Sequence, residues 1–116
     1  MDKDRPIEEV CALLKSLLKD DTNQIIFCTG RVEDYREKTI EQINKILKGS
    51  KNIDIDSCLY MRPQGDFRKD FMVKRDLYKK MIFDGFNPVL VFEDKITVVE
   101  MWKEMGLKCL RVTGAQ

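Results

Sequence analysis

Gln24-Ile25-Ile26-Phe27-Cys28-Thr29-Gly30-Arg31 is the stretch from which the rest of the chain is best read. Residues 24–28 form a short apolar run between the polar break Asp20-Asp21-Thr22-Asn23 and the turn-like Thr29-Gly30-Arg31. An apolar run that does not alternate with polar residues predicts a strand buried on both faces, as in a parallel sheet. Upstream, Ile7, Val10, Cys11, Leu14, Leu17 and Leu18 recur at three- and four-residue steps, predicting a helix over 6–19. Asp4 is placed to cap it, and Pro6 suits its first turn. Downstream, a helix is expected over 34–48 with Tyr35, Ile40, Ile43 and Leu47 inward and Gly49 as its stop, then a strand over 57–61. A third helix over 69–83 turns Met72, Val73, Leu77 and Met81 inward, and Gly85-Phe86-Asn87-Pro88 breaks it. A strand over 89–92, a helix over 96–105 ending at Gly106, and a strand over 108–112 complete the chain.

The order α-β-α-β-α-β-α-β predicts an α/β fold: a three-layer, parallel sheet of about four strands with helices on both faces. No repeat, low-complexity tract or linker interrupts it, so residues 1–116 read as one domain. With 43% hydrophobic and 35% charged residues the composition is that of a globular protein, not a disordered one. The 21 basic and 20 acidic side chains leave a net charge of +1, so any affinity for an anion must come from local clustering. There is no histidine, which excludes Ser-His and Cys-His nucleophile pairs. The four cysteines have no C-x-x-C spacing and read as small buried thiols suited to a reducing compartment. No apolar run approaches the roughly 18 residues of a membrane span, and a cytoplasmic location with no membrane partner is expected.

Ligands of open parallel sheets bind beyond the carboxyl ends of the strands. Those ends are Thr29-Gly30-Arg31, Arg62-Pro63-Gln64-Gly65-Asp66 and Glu93-Asp94-Lys95. Thr29 offers a hydroxyl, Gly30 lets the backbone approach an anion, and Arg31 and Arg62 carry forked donors that match phosphate. Lys74, one turn into the third helix, points to the same edge, and Glu93 and Asp94 are hard oxygen ligands suited to Mg2+. Each group alone also reads as a turn, a helix cap or a solvated face. Gathered on one sheet edge they describe a phosphate site with a divalent metal.

On these residues the chain resembles the haloacid dehalogenase (HAD) phosphatase superfamily, and within it the 3′-phosphatase domains of the bacteriophage polynucleotide kinase/phosphatase type. The matching segments are residues 26–31, the run Arg62-Pro63-Gln64-Gly65-Asp66-Phe67-Arg68-Lys69-Asp70-Phe71-Met72-Val73-Lys74, Phe92-Glu93-Asp94-Lys95, and Val98-Val99-Glu100-Met101-Trp102. The resemblance implies a HAD-type, Rossmann-like fold and a Mg2+-dependent hydrolase. It implies a catalytic set of Thr29, Arg31 and Lys74. Thr29 would bind the phosphoryl group, Arg31 and Arg62 would contact phosphate and substrate, Lys74 would steady negative charge, and Glu93 and Asp94 would hold Mg2+. The implied partner is a phosphorylated nucleic-acid end or another phosphate ester.

Two departures stand out. The family has paired aspartates and an arginine where this chain has Glu93-Asp94-Lys95. The family's nucleophile lies in Asp-x-Asp-Gly-Thr after an apolar strand, whereas Asp2-Lys3-Asp4 follows Met1 alone and precedes Arg5-Pro6. The nucleophile strand is therefore expected to be absent from the chain, as in an N-terminally truncated domain. In the strand order 3-2-1-4-5 that strand is central, so its loss leaves an unpaired slot to be closed or filled by a second copy, a swapped segment or a separate peptide. Three functions follow: a phosphatase component whose strand comes from elsewhere, a catalytically inactive phosphate or nucleic-acid binding module, and a structural protein.

Overall fold

The computed structural model of the chain describes residues 8–20, 22–48 and 53–112. Asp2-Lys3-Asp4, the Asp4 cap, Pro6, the inward Ile7 and Val10 and the stop at Gly49 lie outside these residues or their described side chains. Helix α1 (Glu8–Leu17) precedes strand β1 (Phe27–Val32), helix α2 (Arg36–Ile46) and strand β2 (Leu59–Arg62). Helix α3 (Asp70–Phe83), strand β3 (Leu90–Glu93), helix α4 (Ile96–Glu104) and strand β4 (Lys108–Arg111) follow. The alternation read from the sequence is present in full.

Strand β2 shows how the layers are built. Successive side chains of a strand point to opposite faces. Leu59 and Met61 pack with Leu18 of the α1 end and with Ile43 and Leu47 of the α2 region. Tyr60 points the other way, into a cluster with Val73, Leu77 and Met81 of α3. The β1-β2 pair is thus sandwiched between helices, and Tyr60 and Phe86 close it edge to face at 6.3 Å. The β3-β4 pair is covered by Val98, Val99, Met101 and Trp102 of α4. Phe71 and Tyr78 of α3 pack against that same cluster, so α3 touches both halves.

The glycine stops are local chemistry. Gly85 and Gly106 have φ of 99° and 88°, a conformation that costs glycine little. After each, an amide bonds five residues back, Phe86 to the Met81 carbonyl at 2.9 Å and Leu107 to the Trp102 carbonyl at 3.1 Å. These bonds satisfy carbonyls that a helix end would leave bare.

Three expectations need correction. A single sheet of about four strands does not form: β1 pairs with β2 and β3 with β4, both in parallel, as two separate two-stranded sheets. Strand β1 does not stop at Thr29-Gly30-Arg31 but runs through it to Val32, with a register shift between Thr29 and Val32. Tyr35 is not inward but 55% exposed, because residues 33–35 form a 3-10 turn that shifts the phase of the α2 face to Thr39 and Ile43.

Between the two sheets lies an apolar groove of about 470 Å3, walled by residues 24–28 on one side and 87–93 on the other. Tyr78, Met81 and Trp102 also line it. This explains why β1 is only half-buried along its length and why Leu90 is 46% exposed. Among the described residues, each of β1 and β3 is hydrogen-bonded to a strand on its far side alone. No described helix is long and apolar enough to cross a membrane.

Met61 and Leu110 test this packing. Met61 is 2% exposed and Leu110 54% exposed. In urea unfolding, Met61→Ala is expected to cost about 2–5 kcal/mol and Leu110→Ala less than about 0.5 kcal/mol.

Candidate functional site

Arg62 ends β2 with its side chain 12% exposed, and the site is assembled around it. Its Nε donates to the Gly30 carbonyl at 2.8 Å, and its Nη1 to the carbonyls of Asp66 at 3.0 Å and Arg68 at 2.6 Å. Its Nη2 pairs with the Asp70 carboxylate. A planar fork with five N–H donors can reach four acceptors at once, which a lysine cannot. Gly30 is required here for space. A Cβ on it would sit 2.8 Å from the Asp70 Oδ1, so the Asp70 carboxylate would have to shift away from its partners.

Asp70 also pairs with Lys95. The Lys95 hydrogen bond, with help from Arg62, holds the Asp70 carboxyl below its ordinary value against the opposing effect of burial. The loop from Pro63 to Lys69 is tied down in turn by Asp66. Its carboxylate accepts from the Arg68 amide at 3.1 Å and from the Arg68 guanidinium at 2.8 and 3.0 Å. These bonds bring the Asp66 carboxyl down to about 2.

Arg62, Arg68, Lys69, Asp70, Phe71, Lys95 and Thr97 line a cleft of about 400 Å3. Four of the seven are cations and one is an acid. The first turns of α3 and α4 both open on it, and neither helix has a side chain capping its N-terminus. Uncapped N-termini present bare N–H groups and the positive end of the helix dipole. Lys69 and Lys95 stand at the positions preceding these helices, where the dipole disfavours a cation. The Asp70 carboxylate, in the first turn of α3 and paired with Lys95 and Arg62, is one anion already placed there.

A second cluster borders the groove at Cys28, near the start of β1, and at Glu93, the last residue of β3. Lys74 Nζ lies 3.0 and 3.3 Å from the two carboxylate oxygens of Glu93, which is 7% exposed. The same carboxylate accepts from Trp102 Nε1 at 3.2 Å and from the Asp94 amide at 3.3 Å. Cys28 faces this pair. Burial pushes its thiol up to about 12, with Lys74 pulling it down and Glu93 raising it further. A thiol so placed stays protonated at neutral pH and is no nucleophile.

The residues singled out in the sequence are thus divided. Gly30 and Arg62 meet at the basic cleft, and Lys74 and Glu93 meet at the groove. Thr29 Oγ1 accepts from the Arg31 amide at 3.2 Å. The Arg31 side chain turns to α2, where Nη1 donates to Thr39 at 3.2 Å and Gln42 at 2.7 Å. Asp94 is exposed. Both Glu93 oxygens are engaged, and among the described residues no three Cys, Asp or Glu side chains gather as metal ligands. These donors do not by themselves make up a Mg2+ site, which requires near-octahedral oxygen donors. The sequence reading did not include Lys69, Asp70, Lys95, Thr97 or Trp102 among the site residues. For Lys69 and Lys95 a signal was present: lysines where a helix start favours an acid or a hydroxyl.

The family model for the polynucleotide kinase PNKP phosphatase domain matches residues 1–116. The chain is also 33% identical, over 84 residues covering 72% of its length, to a protein of Autographa californica nuclear polyhedrosis virus that bears the name bifunctional polynucleotide kinase/RNA ligase. The match spans 11% of that viral protein.

Two substitutions probe the cleft. Gly30→Ala is expected to displace Asp70 from Arg62 and destabilise the fold by about 1–3 kcal/mol in urea unfolding. Because the Asp70 carboxyl titrates lower when folded, it contributes stability above about pH 4 and loses it as the pH falls below that. Asp70→Asn should therefore flatten the fall in Tm between about pH 6 and pH 3.

Proposed function

Because the chain belongs to the polynucleotide kinase phosphatase-domain family, we propose that it is the phosphate-binding body of a polynucleotide 3′-phosphatase, completed by a strand from outside the described residues. The observation that carries this reading is the groove between β1 and β3. Two parallel pairs face each other across an apolar channel, each with an unpaired edge. One extended segment, apolar on both faces, would pair with both edges and join the halves into a five-stranded sheet. Its carboxyl end would emerge beside Lys74 and Glu93, between the groove and the basic cleft.

In this proposal the incoming segment is of the Asp-x-Asp-Gly-Thr type and supplies the nucleophile. Its first aspartate forms an aspartyl-phosphate as the P–O3′ bond breaks, its second aspartate protonates the departing 3′-oxygen, and water deprotonated by that second aspartate then hydrolyses the acyl-phosphate to free phosphate. Lys74 steadies the negative charge, Thr29 and the Gly30 backbone hold phosphoryl oxygens, and Arg62, Lys69 and Lys95 draw the phosphate into the cleft. Arg31 joins only by leaving Thr39 and Gln42. Mg2+ is proposed with Asp94 and Glu93 only when an acid of the strand adds to them. The proposed setting is cytoplasmic.

The engaged Glu93 favours a second reading, a module that binds phosphorylated ends without turning them over. One experiment separates the two. A synthetic peptide with an apolar strand ending in Asp-x-Asp-Gly-Thr is added to the chain with Mg2+ and a 3′-phosphorylated oligonucleotide. Phosphate release that needs the peptide, and that falls about 100-fold or more with Lys74→Ala, is expected. Turnover without the peptide would sink the strand proposal. Peptide binding that raises Tm with no turnover would support the inactive module.

A further inference from the structure

Phe67 is 94% exposed, although the loop that carries it is tied down on both sides of it. The carbonyls of both its neighbours, Asp66 and Arg68, accept from the single Nη1 of Arg62 at 3.0 and 2.6 Å. The Asp66 carboxylate closes the same turn onto the Arg68 amide and guanidinium. The Asp66 amide donates to the Pro63 carbonyl at 3.2 Å, and Gly65 takes a φ of 82° to complete the bend. The backbone on either side of Phe67 is therefore fixed, and the ring it carries has no packing role within the fold.

The next two residues, Arg68 and Lys69, are walls of the basic cleft. An aromatic ring held in water one residue from the wall of a cationic cleft suits the pairing by which proteins hold single-stranded nucleic acid: charge for the phosphate, a flat apolar face for a base. Phe83 is a useful contrast. It is 90% exposed too, but it ends α3, the helix whose first turn forms the cleft wall.

We propose that Phe67 is a stacking platform for the terminal nucleobase of the strand whose phosphate enters the cleft of Arg62, Lys69 and Lys95. The inference rests on the phosphatase reading and adds to it. The substrate class becomes a phosphorylated end with its base unpaired, rather than a phosphate ester of any kind. Stacking is tolerant of base identity, so the ring selects for a nucleotide without selecting its sequence.

The test measures binding of the chain to three fluorescent single-stranded probes: a 3′-phosphorylated oligonucleotide, the same with a 3′-hydroxyl, and a 3′-phosphorylated one whose terminal nucleotide lacks its base. The wild-type chain should prefer the first probe over both others. Phe67→Ala should weaken binding of the first about 5- to 150-fold and leave the abasic probe unchanged, while Phe67→Trp retains or strengthens it. Phe83→Ala should match the wild type on all three. Equal binding of the first probe by wild type and Phe67→Ala would overturn the stacking role while the preference for a 3′-phosphate still stood, and would leave a contact with another protein as the use of the ring. A loss on the first and abasic probes alike would also overturn it, since the ring would then serve the loop and not the base. No preference for the 3′-phosphate over the 3′-hydroxyl would remove the underlying phosphatase reading as well.

Discussion

The guanidinium of Arg62 holds the working edge of this protein together. It binds the backbone of β1 at Gly30, the loop after β2 at Asp66 and Arg68, and the first residue of α3 at Asp70. Asp70 carries the connection on to Lys95, at the start of α4 beyond β3. One largely buried cation thus links the β1-β2 half to the β3-β4 half without any strand pairing between them. Removing one partner from such a buried pair leaves its charge uncompensated, so the two ends of this chain of contacts depend on each other.

Helix α3 also connects the halves. Its Val73, Leu77 and Met81 serve one core cluster, while its Phe71 and Tyr78 reach the α4 cluster, where Tyr78 meets Trp102 edge to face at 5.9 Å. Lys74 of the same helix is tied to Glu93 at the end of β3. A helix gripping both sides keeps the groove open at a width that the strands themselves do not set. Unpaired sheet edges facing an apolar channel are costly to leave in water, and proteins with such edges ordinarily cover them. The same openness puts Glu93 and Cys28 on the wall of the channel, with Lys74 held to Glu93.

Much of this was legible residue by residue. The apolar runs, the three- and four-residue spacings and the glycine stops report local conformational preference, and they placed each described α-helix and strand to within a few residues, but neither of the 3-10 turns at 33–35 and 55–58. Where the reading failed, a contact distant in sequence was responsible. Thr29-Gly30-Arg31 resembles a turn but is strand, because Arg62 captures the Gly30 carbonyl and β2 supplies a ladder alongside. Tyr35 has the spacing of an inward residue, but the turn at 33–35 rotates it outward. The partners of Glu93 were not legible at all, since Lys74 and Trp102 reach its carboxylate from two helices distant in sequence.

The sequence by itself determined the order of elements, the parallel α/β class, the family, and the set of phosphate-compatible side chains at the strand ends. The order and the class follow from periodicity and short-range geometry, which are written along the chain, whereas the family rests on the resemblance of its motifs. Only the tertiary structure decided which donors were already committed. It turned Arg31 to α2, engaged four groups with Arg62, joined Lys69 and Lys95 across two helix starts, and divided the sheet around a groove. A hydrogen-bonding group can serve only the partners that reach it through space, and the sequence does not record which side chains will arrive first.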